Sequence, residues 1–392
     1  MRRNTCSNPQ GNDETKENMV KVSKKRHWVK TSFLILNCFS AAALLCSCAA
    51  AYISPVNIWI LAFFGIAYPV ILIINLLFVC LWLVLWNRFI FISMLAILLG
   101  IGNIRTIMPL RFGVQKSRTQ HTLRVITFNV HSLYGNQPNN EIPEARSQVT
   151  DFLASENPDI LCVQEFYAIG EEYLKTLHKF SRSLGLENYF FKNYREFWQK
   201  TKINAIATFS RYPMVNQGFF RLEDKSTFGI FTDLAIRGDT IRVYNLHLES
   251  IRLGNDDYSF YSQLTDPGAD EKNLAKGSRR MLWKLKRAFI LRAMEAEMLS
   301  SHMKSCPYPI LICGDFNDTP SSFAYHTLSK GRNDAFVKAG NDWIGSTYAG
   351  RFPAFRIDYM LYDDFFTATS YQKKEVDLSD HYPVISEFTF KP

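Results

Sequence analysis

Several features that would narrow the function at once are missing. The eight cysteines, at 6, 38, 46, 48, 80, 162, 306 and 313, form no CxxC pair in the carboxyl-terminal part. That leaves no zinc spacing and no disulfide framework, and it leaves the redox compartment open. Cys162 and Cys313 fall inside apolar, strand-like runs, where a thiol serves as a small apolar residue. Charge is nearly absent from residues 31–110, which only Arg88 and Arg105 interrupt. Beyond them the surplus of positive charge is absent. Of the formal +9, residues 1–119 hold 13 Lys+Arg against 3 Asp+Glu, whereas residues 120–392 hold 32 against 33. The basic excess therefore lies with the apolar part, and the high isoelectric point gives no argument for a nucleic-acid groove in the remainder.

What is present divides the chain. A bilayer core needs about 20 apolar residues in a helix. Residues 32–53, 58–86 and 89–109 each supply them, separated only by SPVN at 54–57 and NR at 87–88. The expected organisation is a basic tail at 1–31, a three-helix membrane anchor at 32–110, a linker at 111–121 and a globular domain at 122–392. Lys16, Lys21, Lys24, Lys25, Arg26 and Lys30 on the tail, with Arg88 on the same side, outnumber Arg105, Arg111, Lys116, Arg118 and Arg124 on the other. With three spans this bias predicts an integral membrane protein whose globular domain lies on the non-cytoplasmic side of the plasma or inner membrane.

In the globular part, period-two alternation marks short strands, and helical stretches are expected at 141–155 and 278–303. Four strands share one pattern, with apolar residues first and a chemically capable residue last. Leu123, Val125 and Thr127 lead to Asn129; Leu161 and Val163 lead to Glu165; Ile241, Val243 and Asn245 lead to His247; Leu311 and Cys313 lead to Asp315. A single polar residue at a strand end is ordinarily a turn former. Four agreeing in face and direction predict that one rim collects acids, amides and imidazoles, the material of a metal-assisted hydrolytic site. GDFNDTP at 314–320 adds Asn317, expected on the same side as Asp315, with Asp318 turned away as a turn or cap residue. Later come Asp358 within a strand-like run, and Asp380 and His381 just before the final strand. A carboxylate on a His ring fixes its tautomer and raises its basicity. Tyr348, with Phe352 and Phe355, is a candidate substrate wall or plain core packing. Arg211 is either a phosphate contact or a structural ion pair.

ITFNVH (126–131), PDILCVQEF (158–166), NLHLES (245–250), GDFND (314–318), RIDYML (356–361) and SDHYPV (379–384) stand in the order of the endonuclease/exonuclease/phosphatase superfamily, the DNase I-like phosphoesterases. The chain resembles that group over residues 122–390. The resemblance implies an α+β domain, a four-layered α/β/β/α sandwich, preceded here by three transmembrane helices, that hydrolyses phosphoesters with Mg²⁺, Mn²⁺ being the other candidate ion. Position by position it implies that Glu165 ligates the metal with help from Asn129 and Asp380. It likewise implies that Asp315 orients or deprotonates the attacking water, and that Asn317 and His247 touch the phosphate oxygens. His381, paired with Asp358, would be the acid/base group. Asn204, in a strand where Ile203 stands at a position often held by Gly in the family, has an open role in substrate binding.

The expected activity is that of a membrane-anchored, metal-dependent phosphoesterase, a hydrolase of phosphodiesters or phosphomonoesters. A membrane-tethered endo- or exonuclease and an inactive scaffold are the alternatives. The expected partners are a phosphoester substrate (phospholipid head group, nucleotide or nucleic acid) and the lipid bilayer; no protein partner is implied. The insert at 250–280 is expected to be a surface loop. Lys272, Lys276, Arg279, Arg280, Lys284, Lys286 and Arg287 are either the solvated face of a flanking helix or a contact with anionic lipid or a polyanionic substrate.

Overall fold

The computed structural model describes residues 10–109, 122–131, 142–169, 173–194, 202–223, 225–264, 270–342, 345–350 and 355–391. The expected linker lies outside the described residues, as does Phe352.

The apolar region forms α1 (Gln10–Ala50), α2 (Pro55–Ile58), α3 (Ile60–Ile66), α4 (Tyr68–Val84), α5 (Ile90–Leu99) and α6 (Ile101–Ile107). Among the described residues, only the stretch His27–Ala50 of α1 is long and apolar enough to cross a membrane as one helix. The other two expected spans are bent pairs, by 67° between α3 and α4 and by 63° between α5 and α6. The breaks have local causes. Pro69 sits in the first turn of α4, where a missing N–H is harmless but a continuing helix is not, and Gly100 lies between α5 and α6. A buried polar cluster ties the segments together. Ser93 Oγ lies 2.5 Å from Asn37 Oδ1 and 2.9 Å from Asn75 Oδ1, and Asn75 Nδ2 donates to Ser40 Oγ at 2.8 Å. Apolar contacts alone discriminate little between neighbouring helices, so these directional bonds help to fix how the segments pack.

The globular part begins with β1 (Leu123–Asn129), α7 (Ile142–Glu156), β2 (Ile160–Ile169), α8 (Tyr173–Ser183), β3 (Asn188–Asn193), β4 (Lys202–Ser210), β5 (Met214–Arg221), β6 (Thr227–Ile236) and β7 (Asp239–His247). It continues with α9 (Asn255–Gln263), α10 (Glu271–Lys304), β8 (Ile310–Asp315), α11 (Phe323–Ser329), β9 (Asn333–Asp334), α12 (Ala335–Ala339), β10 (Asp358–Tyr362), β11 (Phe366–Lys373) and β12 (Val384–Phe390). One sheet runs β11-β12-β1-β2-β4-β3 and the other β5-β6-β7-β8-β10-β9. Leu123, Val125 and Cys162 of the first sheet meet Ile241, Val243, Leu311 and Cys313 of the second in the core between them. The outer face of the first sheet is covered by α7 and α8 through Val149, Leu153, Leu177 and Phe180. That of the second is covered by α10 and α11 through Ala296, Leu299, Met303, Tyr325 and Leu328. The order is helix, sheet, sheet, helix, as expected.

Two expected boundaries move. The insert at 250–280 is not a loop throughout, because it contains α9 and the first turns of α10. That helix starts seven residues before the expected position, where the Asp270 side chain accepts from the Lys272 amide and caps it.

Candidate active site

Each sheet has a parallel pair at its centre, β1 beside β2 and β7 beside β8. Parallel strands end on the same rim, so Asn129, His247 and Asp315 arrive together, with His247 directly opposite Asp315 in register. Antiparallel β10 starts where β8 stops, which sets Asp358 opposite Asp315. Gly314 allows this approach. Its φ is +139°, and a Cβ there would lie 2.0 Å from the Leu246 carbonyl oxygen.

The alternation in β2 was expected to carry Glu165 on the face of Leu161 and Val163. Those two residues instead pack against the outer helices, and Cys162 faces the inter-sheet core. A register shift between Val163 and Phe166, with Glu165 at φ +55°, turns the carboxylate back to the rim. A bulge beside a site re-aims a side chain in this way. Gln164 stays between the sheets, where its Nε2 donates to Asn245 Oδ1 at 2.7 Å and to Thr127 Oγ1 at 3.1 Å. This polar pin lies directly beneath the rim.

Asp315 is fully buried and is the hub. Its Oδ2 accepts from Asn129 Nδ2 at 3.1 Å and Asn317 Nδ2 at 3.2 Å, and lies 3.7 Å from Nε2 of both His247 and His381. Burial, more than any neighbour, pushes its carboxyl up to about 6. His381 Nδ1 lies 2.9 Å from Asp358 Oδ2. Burial would lower the ring's pKa, but the carboxylates of Asp358 and Asp315 outweigh it and push it up to about 10. Tyr348 stands edge-on to this ring at 5.4 Å between centroids.

Asn317 does not continue an extended segment beside Asp315. Its φ is +52°, its amide donates to Asp315 Oδ1 at 2.7 Å, and its side-chain Nδ2 donates to both Leu248 O and Asp315 Oδ2. Both Nδ2 hydrogens are thus engaged within the protein, so Asn317 holds Asp315 rather than offering a donor to a phosphate. Asp318 is likewise more than a turn residue, being buried and paired with Arg292 at 3.2 Å. Arg211 is structural, bonded to Asn157 Oδ1 at 2.8 Å and near Asp159 at 3.4 Å.

The expected metal group is only partly set as expected. Asn129 turns its Nδ2 to Asp315 and Glu165, while its Oδ1 accepts from the His131 amide at 3.0 Å, an arrangement suited to a donor rather than a metal ligand. Glu165 Oε2 and Asp380 Oδ1 lie 3.9 and 3.3 Å from the same nitrogen, His131 Nδ1, so the two carboxylates converge on one position. Their side chains, 26% and 23% exposed, remain open to water. Two accessible carboxylates and room for water suit Mg²⁺, which keeps much of its hydration shell. Asp315, Asp358 and His381 form another group with donor atoms within 4.8 Å of one another, but there the imidazole is already paired with carboxylates.

Two residues of the site were not expected. His131 is one. Tyr194, half-buried, is the other. Its hydroxyl accepts from the Glu165 amide at 2.9 Å and lies 2.8 Å from His247 Nδ1. The hydroxyl hydrogen is then free for Nδ1, which leaves the proton of a neutral His247 ring on Nε2, facing Glu165 and Asp315. A cavity of about 400 Å³ opens beside these groups, lined by Glu165, Tyr194, Asn204, His247, Glu249 and Arg252 among others. Asn204 joins the site here, with a buried Oδ1 that has no hydrogen-bond partner among the described residues.

Residues 126–381 match a model of the Endonuclease/Exonuclease/phosphatase family, and residues 30–107 match a model described as a domain of unknown function. No curated protein matches significantly. Among solved structures, the chain is similar to an endonuclease/exonuclease/phosphatase from Bacteroides vulgatus, with 17% identity, TM-score 0.49, and 69% of this chain and 100% of that one covered. It is similar to the human Nocturnin catalytic domain with bound sulfate (18%, 0.48, 69% and 95%). It is also similar to an endonuclease/exonuclease/phosphatase from Beutenbergia cavernae (16%, 0.48, 69% and 72%).

Proposed function

Because the chain belongs to the endonuclease/exonuclease/phosphatase family of phosphoester hydrolases, we propose that it is a membrane-anchored, divalent-metal-dependent phosphoesterase that attacks its substrate with activated water. The observation that carries this is the meeting of Asp315 with His247, Asn129 and the His381–Asp358 pair on one rim. Glu165 and Asp380 would hold a Mg²⁺ ion, which would neutralise charge building on the phosphoryl oxygens.

Each of the chain's own groups has a task. Asp315, buried and raised toward neutrality, accepts a proton from the attacking water. Asn317 and Asn129 fix its two oxygens. His381, protonated at neutral pH and held at Nδ1 by Asp358, presents Nε2–H to an oxygen of the scissile phosphate. His247 presents Nε2–H from the other side. Donors set in advance around developing negative charge stabilise a transition state without reorganising.

Three contacts support an anchor at 32–110 joined to a catalytic domain at 122–392. Tyr52 meets His326 at 4.3 Å between ring centroids, Phe63 of α3 meets Phe289 of α10 at 5.1 Å, and Arg356 Nη2 donates to Thr106 O at 2.6 Å. Lys30 lies over Phe89 at the other end of the bundle, 5.6 Å from the ring centroid. The basic end of α1 and Arg88 thus lie opposite the catalytic domain, an arrangement that favours the non-cytoplasmic side for catalysis. The test is a screen of the full chain, with Mg²⁺ and with chelator, against bis(p-nitrophenyl) phosphate, sphingomyelin, inositol phosphates and plasmid DNA. Metal-dependent turnover of at least one is expected. Equal rates with chelator would remove the metal, and turnover of plasmid DNA alone would favour a tethered nuclease.

A further inference from the structure

The basic residues of α10 between Lys272 and Arg287 divide between two faces, and only one of them forms ion pairs within the protein. Arg280 Nε donates to Asp257 at 2.8 Å, Lys284 Nζ lies 2.5 Å from the same carboxylate, and Arg287 donates to Glu249 at 2.8 Å. These three tie α10 to α9 and to the mouth of the cavity. Lys272, Lys276, Arg279 and Lys286 form no ion pair among the described residues. With Trp283 they follow spacings of four, three, four and three, which place all five on one side of a helix.

That side has a definite direction. Lys286 Nζ lies 4.8 Å from the ring centroid of Trp59, at the start of the second apolar segment, and Phe289 packs on Phe63 one turn further along. The outer face of α10 therefore begins at the end of the anchor and runs beyond it. Trp283 is 63% exposed on that face, beside exposed Leu282, and Leu264 at the end of α9 is exposed too. A soluble flanking helix has no need of an exposed Trp between basic turns. A helix lying in a head-group layer has this composition, with aromatic and aliphatic groups at the acyl boundary and Lys or Arg on the phosphates.

We propose that the outer face of α10, from Lys272 to Lys286, rests on the head groups of an anionic bilayer. Continuity with the anchor and the charge of the face favour this occupant over a nucleic acid. The proposal rests on the anchor argued above but not on the identity of the substrate. Through the inner-face pairs with Asp257 and Glu249, the same helix would hold the mouth of the cavity close to the membrane surface.

The test uses the full chain in nanodiscs of phosphatidylcholine alone and of phosphatidylcholine mixed with phosphatidylglycerol, following amide hydrogen exchange across residues 271–286. Several-fold slower exchange is expected in the anionic discs. High salt should erase the difference, as should Lys272→Glu combined with Lys276→Glu and Arg279→Glu, while β8 exchanges as before and reports an intact fold. Equal exchange in both discs overturns the proposal and leaves the anchor standing. Failure of the chain to remain in either disc overturns both. Slowing produced by RNA in neutral discs, without a response to phosphatidylglycerol, overturns it in favour of a nucleic-acid surface.

Discussion

At the scale of single residues, one hydroxyl organises two of the groups on the rim of the proposed site. Tyr194 receives the Glu165 amide and meets His247 Nδ1, so it holds the strained backbone of Glu165 and the tautomer of His247 together. Tyr194→Phe keeps the ring and removes both bonds. Outer partners of this kind are worth about 10- to 100-fold in activity; a loss of that size in kcat with an unchanged circular dichroism spectrum is expected, and steady-state kinetics on a generic phosphodiester would measure it. Neither Tyr194 nor His131 carries a signal in the sequence, because an aromatic residue after a strand and a His two positions past Asn129 are ordinary. The gathering of Asn129, His247, Asp315, Asp358 and His381 on one rim was legible because strand ends and an adjacent acid–imidazole pair are periodic or local features. Asn317 was legible as a site residue but not in its task, since its left-handed backbone depends on what Asp315 and Leu248 require of it.

At the scale of elements, alternation is reliable as long as a strand stays regular. It located the inner faces of β1, β7 and β8 and failed in β2, where one extra residue inverts the faces before Glu165. The helical part of the 250–280 insert was missed for a different reason. Its apolar residues follow no continuous stripe, and α9 is held to α10 by Phe260 packed against Gly277 and by Arg280 and Lys284 paired with Asp257. Helix α10 also carries a titration that bears on stability. Glu295 is fully buried, and that burial, more than any neighbouring charge, raises its carboxyl from 4.5 to about 8, although the Glu249 amide donates to it at 2.8 Å. A raised carboxyl favours the folded state below the unfolded value and loses that contribution as pH climbs through the folded one. Between about pH 4.5 and 8 the loss is of the order of a few kcal/mol. The melting temperature of the wild type should fall across this window, and Glu295→Gln should flatten the slope. A parallel fall in both proteins would assign it to another group.

At the scale of the whole molecule, the separation of charge was plain from the start. The basic surplus sits with the apolar segments, and the globular part is close to neutral. What composition could not convey is that the two parts are packed together. Breaks at Pro69 and Gly100 let α3 and α6 turn toward the domain, where Phe289 and Arg356 take their partners from Phe63 and Thr106. Removing those segments takes away the Thr106 carbonyl and uncovers the Phe289 ring, at a cost of about 1–3 kcal/mol. A chain starting at residue 122 should therefore melt several degrees below the full chain in the same detergent, as read by differential scanning fluorimetry. Equal melting temperatures would mean that the contact contributes nothing.

The central claim is that residues distant in the chain form a single hydrolytic centre. The most direct test is the turnover of bis(p-nitrophenyl) phosphate by the full chain with Mg²⁺, compared with Glu165→Gln, Asp315→Asn, His381→Ala and the Asp315→Asn/His381→Ala double variant. Each single change is expected to cost about 10² to 10³ in kcat. The double variant should lose little more than the worse of its two parents, because residues that act as one unit fail together. Wild-type turnover in the three single variants would contradict the claim.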